Sequence, residues 1–292
     1  MGSSCRIVTP HADLTHRGVE IVGELERLWS RFRADSEVSE LNRAAGRLCV
    51  VSALTFELIE RAEQARSATA GAFNPLLLDQ LVGLGYDRTW DEVERDGPVT
   101  AACANPGSGE PIELFADVNA VRLPEGTRFD PGGLGKGLAG DLVAATLLAE
   151  GAVSVQVELG GDVRVAGSPW IDDRWRVCVA DTDHGVSEAA IVSLADGGVA
   201  TSSVVRRRWR RGTADVHHLV DPMTGRSAVT DLDAVTAVAP TLWWAEVVAK
   251  VALMAGAAGG RSILDRYDVS GVLVPAGAQP CYEPIARRGV AA

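Results

Sequence analysis

The stretch Asp130-Pro-Gly-Gly-Leu-Gly-Lys-Gly-Leu-Ala-Gly-Asp141 sets glycines at 132, 133, 135 and 137 around Leu134 and Lys136. A run with the pattern of a helix, Leu142 to Glu150, follows it. Glycine lets backbone N–H groups come close to a ligand, and a helix N-terminus adds a partial positive charge to which Lys136 adds a full one. A phosphate-bearing ligand needs such an arrangement, although a plain Gly-rich turn between strand and helix has the same look. Two better-known phosphate loops are excluded. A Walker A loop wants Gly where Asp130 stands and Ser or Thr where Gly137 stands. A dinucleotide fingerprint wants its third glycine one residue later than Gly137, inside a βαβ unit.

Around this stretch the chain changes texture. Upstream, Leu14–Phe32 carries Ile21, Val22, Leu25, Leu28, Trp29 and Phe32 at helical spacing, and Ser52 can cap a second helix running to about Thr69. The segment Ser30–Asn42 reads as polar and turn-like. Gly71-Ala-Phe-Asn-Pro75 breaks the second helix, and a short helix is expected over 76–84. Downstream, Val153–Leu159, Val163–Val165, Trp175–Ala180, Ala190–Leu194, Val199–Ser203 and Ala234–Ala239 read as strands with turn signals between them. Trp243–Ala255 reads as a helix, and strands close the chain from Val269. Consecutive strands framed by helices early and late predict an α+β fold, largely antiparallel sheet with flanking helices, in one domain spanning 1–292.

Composition narrows the function classes. Of 292 residues 47% are hydrophobic, enough for a real core, and the net charge of -11 argues against nucleic acid or an anionic membrane as partner. No apolar run has transmembrane length. The N-terminus lacks an apolar signal core and Cys5 lies too early to follow one, so no lipoprotein anchor is expected. Five scattered cysteines without CxxC spacing read as reduced core residues of a cytoplasmic protein. The run Arg206–Arg211 is unusual in so acidic a chain. It reads as a solvated hairpin tip, or as a contact for phosphate or an acidic target protein.

Several patches line up in order: Met1-Gly-Ser3, Ser36-Glu-Val-Ser-Glu-Leu-Asn42, Gly71–Pro75, Asp130–Asp141, Glu158-Leu-Gly-Gly-Asp162, Ala200-Thr-Ser-Ser203 and His218-Leu-Val-Asp-Pro-Met-Thr-Gly225. In this order and spacing they resemble the ApbE family, the FAD:protein FMN transferases, over nearly the whole chain. The resemblance implies an enzyme that binds FAD, cleaves its pyrophosphate with Mg²⁺, and attaches FMN to a Ser or Thr hydroxyl of a target protein while AMP leaves. By motif, Met1, Ala72, Phe73, Asn74, Asp130, Lys136 and Leu219 would border the flavin nucleotide. His218 would be the catalytic or phosphate-contacting histidine. Independently of the family, Lys136 and the glycine amides can neutralise phosphate oxygens, and a histidine can move the acceptor's proton.

The family's metal pair is Ala-Asp-x-x-x-Thr, helped by a backbone oxygen from the glycine stretch, here at Gly133. This chain has Ala245-Glu-Val-Val-Ala-Lys250 instead. Glu246 and Lys250 share a helix face at i and i+4, and an ammonium cannot replace a threonine ligand. Two expectations follow: Mg²⁺ binds through Glu246 and phosphate oxygens, or Lys250 takes the cation's place. Asn74 replaces a usual Asp, Leu76 a Thr, and Ser203 a Gly. The competing readings are an FAD pyrophosphatase releasing FMN and AMP, and a non-catalytic FAD-binding protein.

Overall fold

The computed structural model describes residues 3–98, 109–169, 174–179 and 190–277. Seven helices lie among the described residues: α1 Ala12–Trp29, α2 Glu37–Arg43, α3 Ala53–Ala68, α4 Leu78–Gly83, α5 Gly135–Ala149, α6 Leu242–Met254 and α7 Gly256–Arg266. The chain divides into two compact units, the first comprising 1–2, 24–135 and 207–228 and the second 3–23, 136–206 and 229–292.

The second unit is built on a six-stranded sheet. Its strands lie in the order Cys5–Val8, Ser154–Leu159, Asp162–Gly167, Gly197–Ser203, Leu232–Ala239 and Ser270–Pro275. Every neighbouring pair is antiparallel, as the α+β expectation requires. Ser154–Leu159 and Asp162–Gly167 form a hairpin whose two loop residues, Gly160 and Gly161, both take positive φ (64° and 94°). That is the conformation a tight two-residue turn demands and glycine adopts without strain. On this sheet α6 packs against Gly197–Ser203 and Leu232–Ala239, with α7 beside it. Nearly every turn of α6 is buried, including Leu242, Ala245, Val247, Val248, Ala249, Val251, Ala252 and Leu253. A helix apolar all round is a core helix, which makes its one buried charge, Glu246, the exception to explain.

The first unit holds α2, α3, α4 and two small sheets. Ser52 caps α3 as read, its Oγ accepting the Thr55 N–H at 3.3 Å. Ser30–Asn42 is not all turn. Ser36 caps α2 by accepting the Ser39 N–H at 3.1 Å, and Val38 and Leu41 are fully buried. The basic run is not a solvated tip either. Arg208–Arg211 is the middle strand of a three-stranded sheet, with alternate residues Trp209 and Arg211 turned inward. Trp209 Nε1 donates to the Leu84 carbonyl at 2.7 Å, and the Arg211 guanidinium satisfies the carbonyls of Glu94, Arg210 and Gly85. Trp209 packs with Leu77, Leu81, Tyr86, Val93, Val216 and Val220, so two residues of the run, Trp209 and Arg211, build the core.

Candidate active site

The Asp130–Asp141 stretch folds in two parts. Pro131 to Leu134 is a turn with Gly133 at φ 92°, and the helix begins at Gly135, earlier than Leu142. Lys136 therefore sits in the first turn of α5. The Gly137 backbone does not lie open to a ligand: a Cβ there would stand 2.5 Å from the Trp243 Cα. Gly137 instead allows α5 and the start of α6 to approach backbone to backbone.

In the first unit, Asp130 Oδ1 pairs with Arg31 Nε at 2.8 Å, and its Oδ2 accepts the Gly132 N–H at 3.2 Å. Arg31 is itself fixed. Its two Nη atoms donate to the Tyr86 carbonyl at 3.0 Å, and its guanidinium lies over the Phe32 and Tyr86 rings. The Asp130 N–H donates to the Pro75 carbonyl at 2.8 Å, which joins the glycine stretch to the Gly71–Pro75 turn. In that turn Phe73 is fully buried, Ala72 is half-buried, and Asn74 Oδ1 accepts the Leu76 N–H at 2.9 Å. This Asx turn needs only an acceptor oxygen, which Asn supplies as well as the family's Asp. Met1 lies outside the described residues.

His218 follows the strand Ala214–His217 and opens the loop to Ala228. Its neighbour His217, to which the sequence reading gave no role, holds that loop in shape. His217 Nε2 meets the Ala228 carbonyl at 2.9 Å, and Nδ1 accepts the Leu219 N–H at 3.3 Å. With Nδ1 an acceptor, the ring is neutral and Nε2 carries the proton. Burial, followed by the nearby Arg208 cation, lowers the His217 pKa against the bond to Ala228. Beyond it, Asp221 Oδ1 accepts the Met223 N–H at 2.9 Å and Oδ2 the Thr224 hydroxyl at 3.0 Å, with Gly225 at φ 66° closing the turn. Leu219 is buried.

In the second unit, Lys136 joins two buried carboxylates. Its Nζ lies 2.7 Å from Asp162 Oδ2 and donates to Glu246 Oε1. The other oxygens are engaged as well: Glu246 Oε2 accepts the Gly137 N–H at 2.8 Å, and Asp162 Oδ1 accepts the Thr201 N–H at 3.0 Å. Burial opposes the Lys136 charge, but Asp162 and Glu246 together outweigh it and raise its pKa. For Glu246, burial and then the Asp162 carboxylate push the pKa up against the attraction of Lys136. Asp162 is an unforeseen member of this set. Its signal was its place directly after the Gly160-Gly161 turn.

These residues do not fit a divalent-cation site. Glu246 and Asp162 already share the Lys136 ammonium, whose like charge opposes a divalent cation there, and Lys250 has no lone pair to give in its charged form. Among the described residues no cluster of three or more His, Cys, Asp or Glu side chains is arranged to hold a metal ion.

An antiparallel sheet with these glycine, histidine-loop and late-helix elements defines a class, and the comparisons agree on which. The sequence matches the ApbE family over residues 1–273. It is 30% identical over 283 residues to a Treponema pallidum protein named FAD:protein FMN transferase, covering 88% of this chain and 77% of that one. A Vibrio cholerae protein of the same name is 25% identical over 260 residues, covering 87% and 77%. Among solved structures, the ApbE protein of Thermotoga maritima superposes with a TM-score of 0.83 at 23% identity, covering 97% of this chain and 94% of that one. The Pseudomonas stutzeri flavinyl transferase ApbE, in its apo form, gives 0.81 at 22% identity, covering 99% and 92%. This chain belongs to the ApbE family.

Proposed function

We infer that this protein is an FAD:protein FMN transferase, which cleaves the FAD pyrophosphate and joins FMN to a Ser or Thr hydroxyl of a partner protein. The observation that carries the reading is the 30% identity to a protein of that name along 283 residues. In this reading the acceptor oxygen attacks the FMN phosphorus, the bond from that phosphorus to the bridging oxygen breaks, and AMP leaves with that oxygen. The hydroxyl proton passes to His218, whose loop is fixed by His217 and Asp221. Ala72, Phe73, Asn74, Asp130 and Leu219, with Met1, border the flavin nucleotide, Phe73 through its backbone because its side chain is buried. Lys136 also borders the nucleotide, its ammonium shared with Asp162 and Glu246, in a reaction that depends mostly on positioning and charge neutralisation.

The reaction is assigned to the cytoplasm. Cys5, Cys49 and Cys178 are free thiols, as a reducing compartment favours. Among the described residues no helix is long and apolar enough to cross a membrane. Of the two expectations for the metal, Mg²⁺ held through Glu246 and phosphate oxygens meets a carboxylate that already holds the Lys136 ammonium and the Gly137 N–H.

Incubation with FAD, with and without a Ser/Thr-bearing acceptor protein, tests the reading by following AMP. AMP released only with acceptor supports the transferase. AMP released equally without it identifies a pyrophosphatase, and bound FAD with no AMP identifies a binding protein.

A further inference from the structure

We propose that the Lys136 ammonium, clamped between Asp162 and Glu246, is this protein's resident cation, and that its reaction runs without a divalent metal. This rests on the transferase reading given above. Each of the four carboxylate oxygens has a donor. Lys136 Nζ meets Asp162 Oδ2 at 2.7 Å and Glu246 Oε1, while the remaining oxygens accept backbone N–H groups of Gly137 and Thr201 at 2.8 and 3.0 Å.

Glu246 is 4% exposed and Asp162 also 4%. A carboxylate so buried is costly unless paired, and a divalent metal entering here would compete with the Lys136 ammonium for Glu246 and stand beside its like charge. The sequence changes point the same way. Glutamate is one methylene longer than the family's aspartate and reaches Lys136, and Lys250 brings a second ammonium in place of the family's hydroxyl ligand. One lysine against two carboxylates leaves one net negative charge, and Lys250, one turn along the same helix face from Glu246, offsets it. The four side chains together are then neutral, and their positive groups are ammoniums rather than a divalent metal.

The test has two independent readouts. The first is a Mn²⁺ titration of the full chain without nucleotide, followed by electron paramagnetic resonance. The second is AMP release from FAD with acceptor, in excess chelator and in excess Mg²⁺. The expected results are a wild-type protein that leaves the free Mn²⁺ signal unchanged and turnover within twofold in the two conditions. Uptake of one Mn²⁺ per chain that disappears in Glu246→Gln overturns the proposal, and so does turnover abolished by chelator. If AMP appears in neither condition, the transferase reading fails, while the Mn²⁺ titration still decides whether a metal binds. The double variant Glu246→Asp/Lys250→Thr restores the family pair. Its gain of Mn²⁺ uptake, on a wild type that has none, supports the assignment of these two positions as what excludes the metal.

Discussion

Asp141 closes the open end of a helix to which it does not belong: from the second turn of α5, its Oδ2 accepts the Trp243 N–H of α6 at 2.9 Å. Its Oδ1 accepts the Leu242 N–H at 3.0 Å, and Thr241, which occupies the N-cap position, makes no side-chain cap bond. A carboxylate there meets both the orphan N–H groups and the positive end of the helix dipole. Arg164 Nε, 2.9 Å from Oδ1, offsets its burial, which nevertheless raises the Asp141 pKa. Asp141→Ala should cost about 1–2 kcal/mol of stability, the upper range for a lost cap, and Asp141→Asn less, since one acceptor remains. Urea unfolding with an unchanged m-value checks this; a cost below a few tenths would mean that water caps α6 equally well.

Two glycine-to-alanine changes in helices should move stability in opposite directions. In α1, a Cβ at Gly23 meets nothing within 4 Å, so Gly23→Ala should gain about 0.5–1 kcal/mol from helix propensity. In α5, a Cβ at Gly137 would stand 2.5 Å from the Trp243 Cα. The contact is with backbone, which cannot swing aside, so Gly137→Ala should lose about 3 kcal/mol or more, the upper end of overpacking. Thermal melts of the two variants side by side make the comparison, and a stabilised Gly137→Ala would refute the close approach.

These glycines also show where sequence was enough and where it was not. Strand alternation, the Ser52 cap and the Gly160-Gly161 turn were legible because each is a local signal: period, cap chemistry, backbone conformation. The helix start at Gly135 was not, because Gly and Pro depress propensity over the very residues that tertiary packing makes helical. The segment Gly256–Arg266 was missed for the same reason. Arg208–Arg211 looked solvated because charge hides a strand's alternation when the inward arginine bonds only to carbonyls. For the candidate site, motif order named Lys136, Glu246 and Asp130 but not their partners. Asp162 and Arg31 lie far from them in sequence, and no local pattern encodes a pairing made by the fold.

His217 should make stability depend on pH. Its folded-state pKa lies below the ordinary value of about 6.5, so the unfolded chain binds the proton first. Its contribution is complete above pH 6.5 or so and is lost as pH falls from there towards the folded-state value. Between pH 7.5 and 5.5, or about that range, wild-type stability should fall more steeply than that of His217→Gln, which can still donate to the Ala228 carbonyl but does not titrate. Denaturant midpoints at a series of pH values give the difference curve. Parallel curves would show that His217 titrates alike in both states.

Arg31 should matter through Asp130. Both side chains of this pair are largely buried, at 6% and 12% exposure. Removing one partner of a buried pair strands the other's charge, at about 3–5 kcal/mol, so Arg31→Met should be strongly destabilised. Arg31→Lys keeps the charge, but it loses the guanidinium fork that serves Asp130 and the Tyr86 carbonyl together. If Asp130 borders the nucleotide, Arg31→Lys should fold and raise KM for FAD severalfold with kcat nearly unchanged. A folded Arg31→Lys with wild-type KM would confine Arg31 to a structural role.

His218 is the residue on which the proposed chemistry depends most. It stands directly after the buried, neutral His217, at the mouth of a loop closed by the Val220–Ser227 bridge and the Asp221 turn. Removing its ring leaves those bonds in place, so His218→Ala should fold like the wild type and bind FAD with similar affinity. Proton transfer by a positioned side chain contributes about 10²–10⁴ in rate, so kcat for AMP release should fall by that factor. FAD binding by fluorescence quenching and AMP release by chromatography separate the two effects. A variant with unchanged kcat and a raised KM would make His218 a phosphate contact, and the acceptor's proton would then leave by another route.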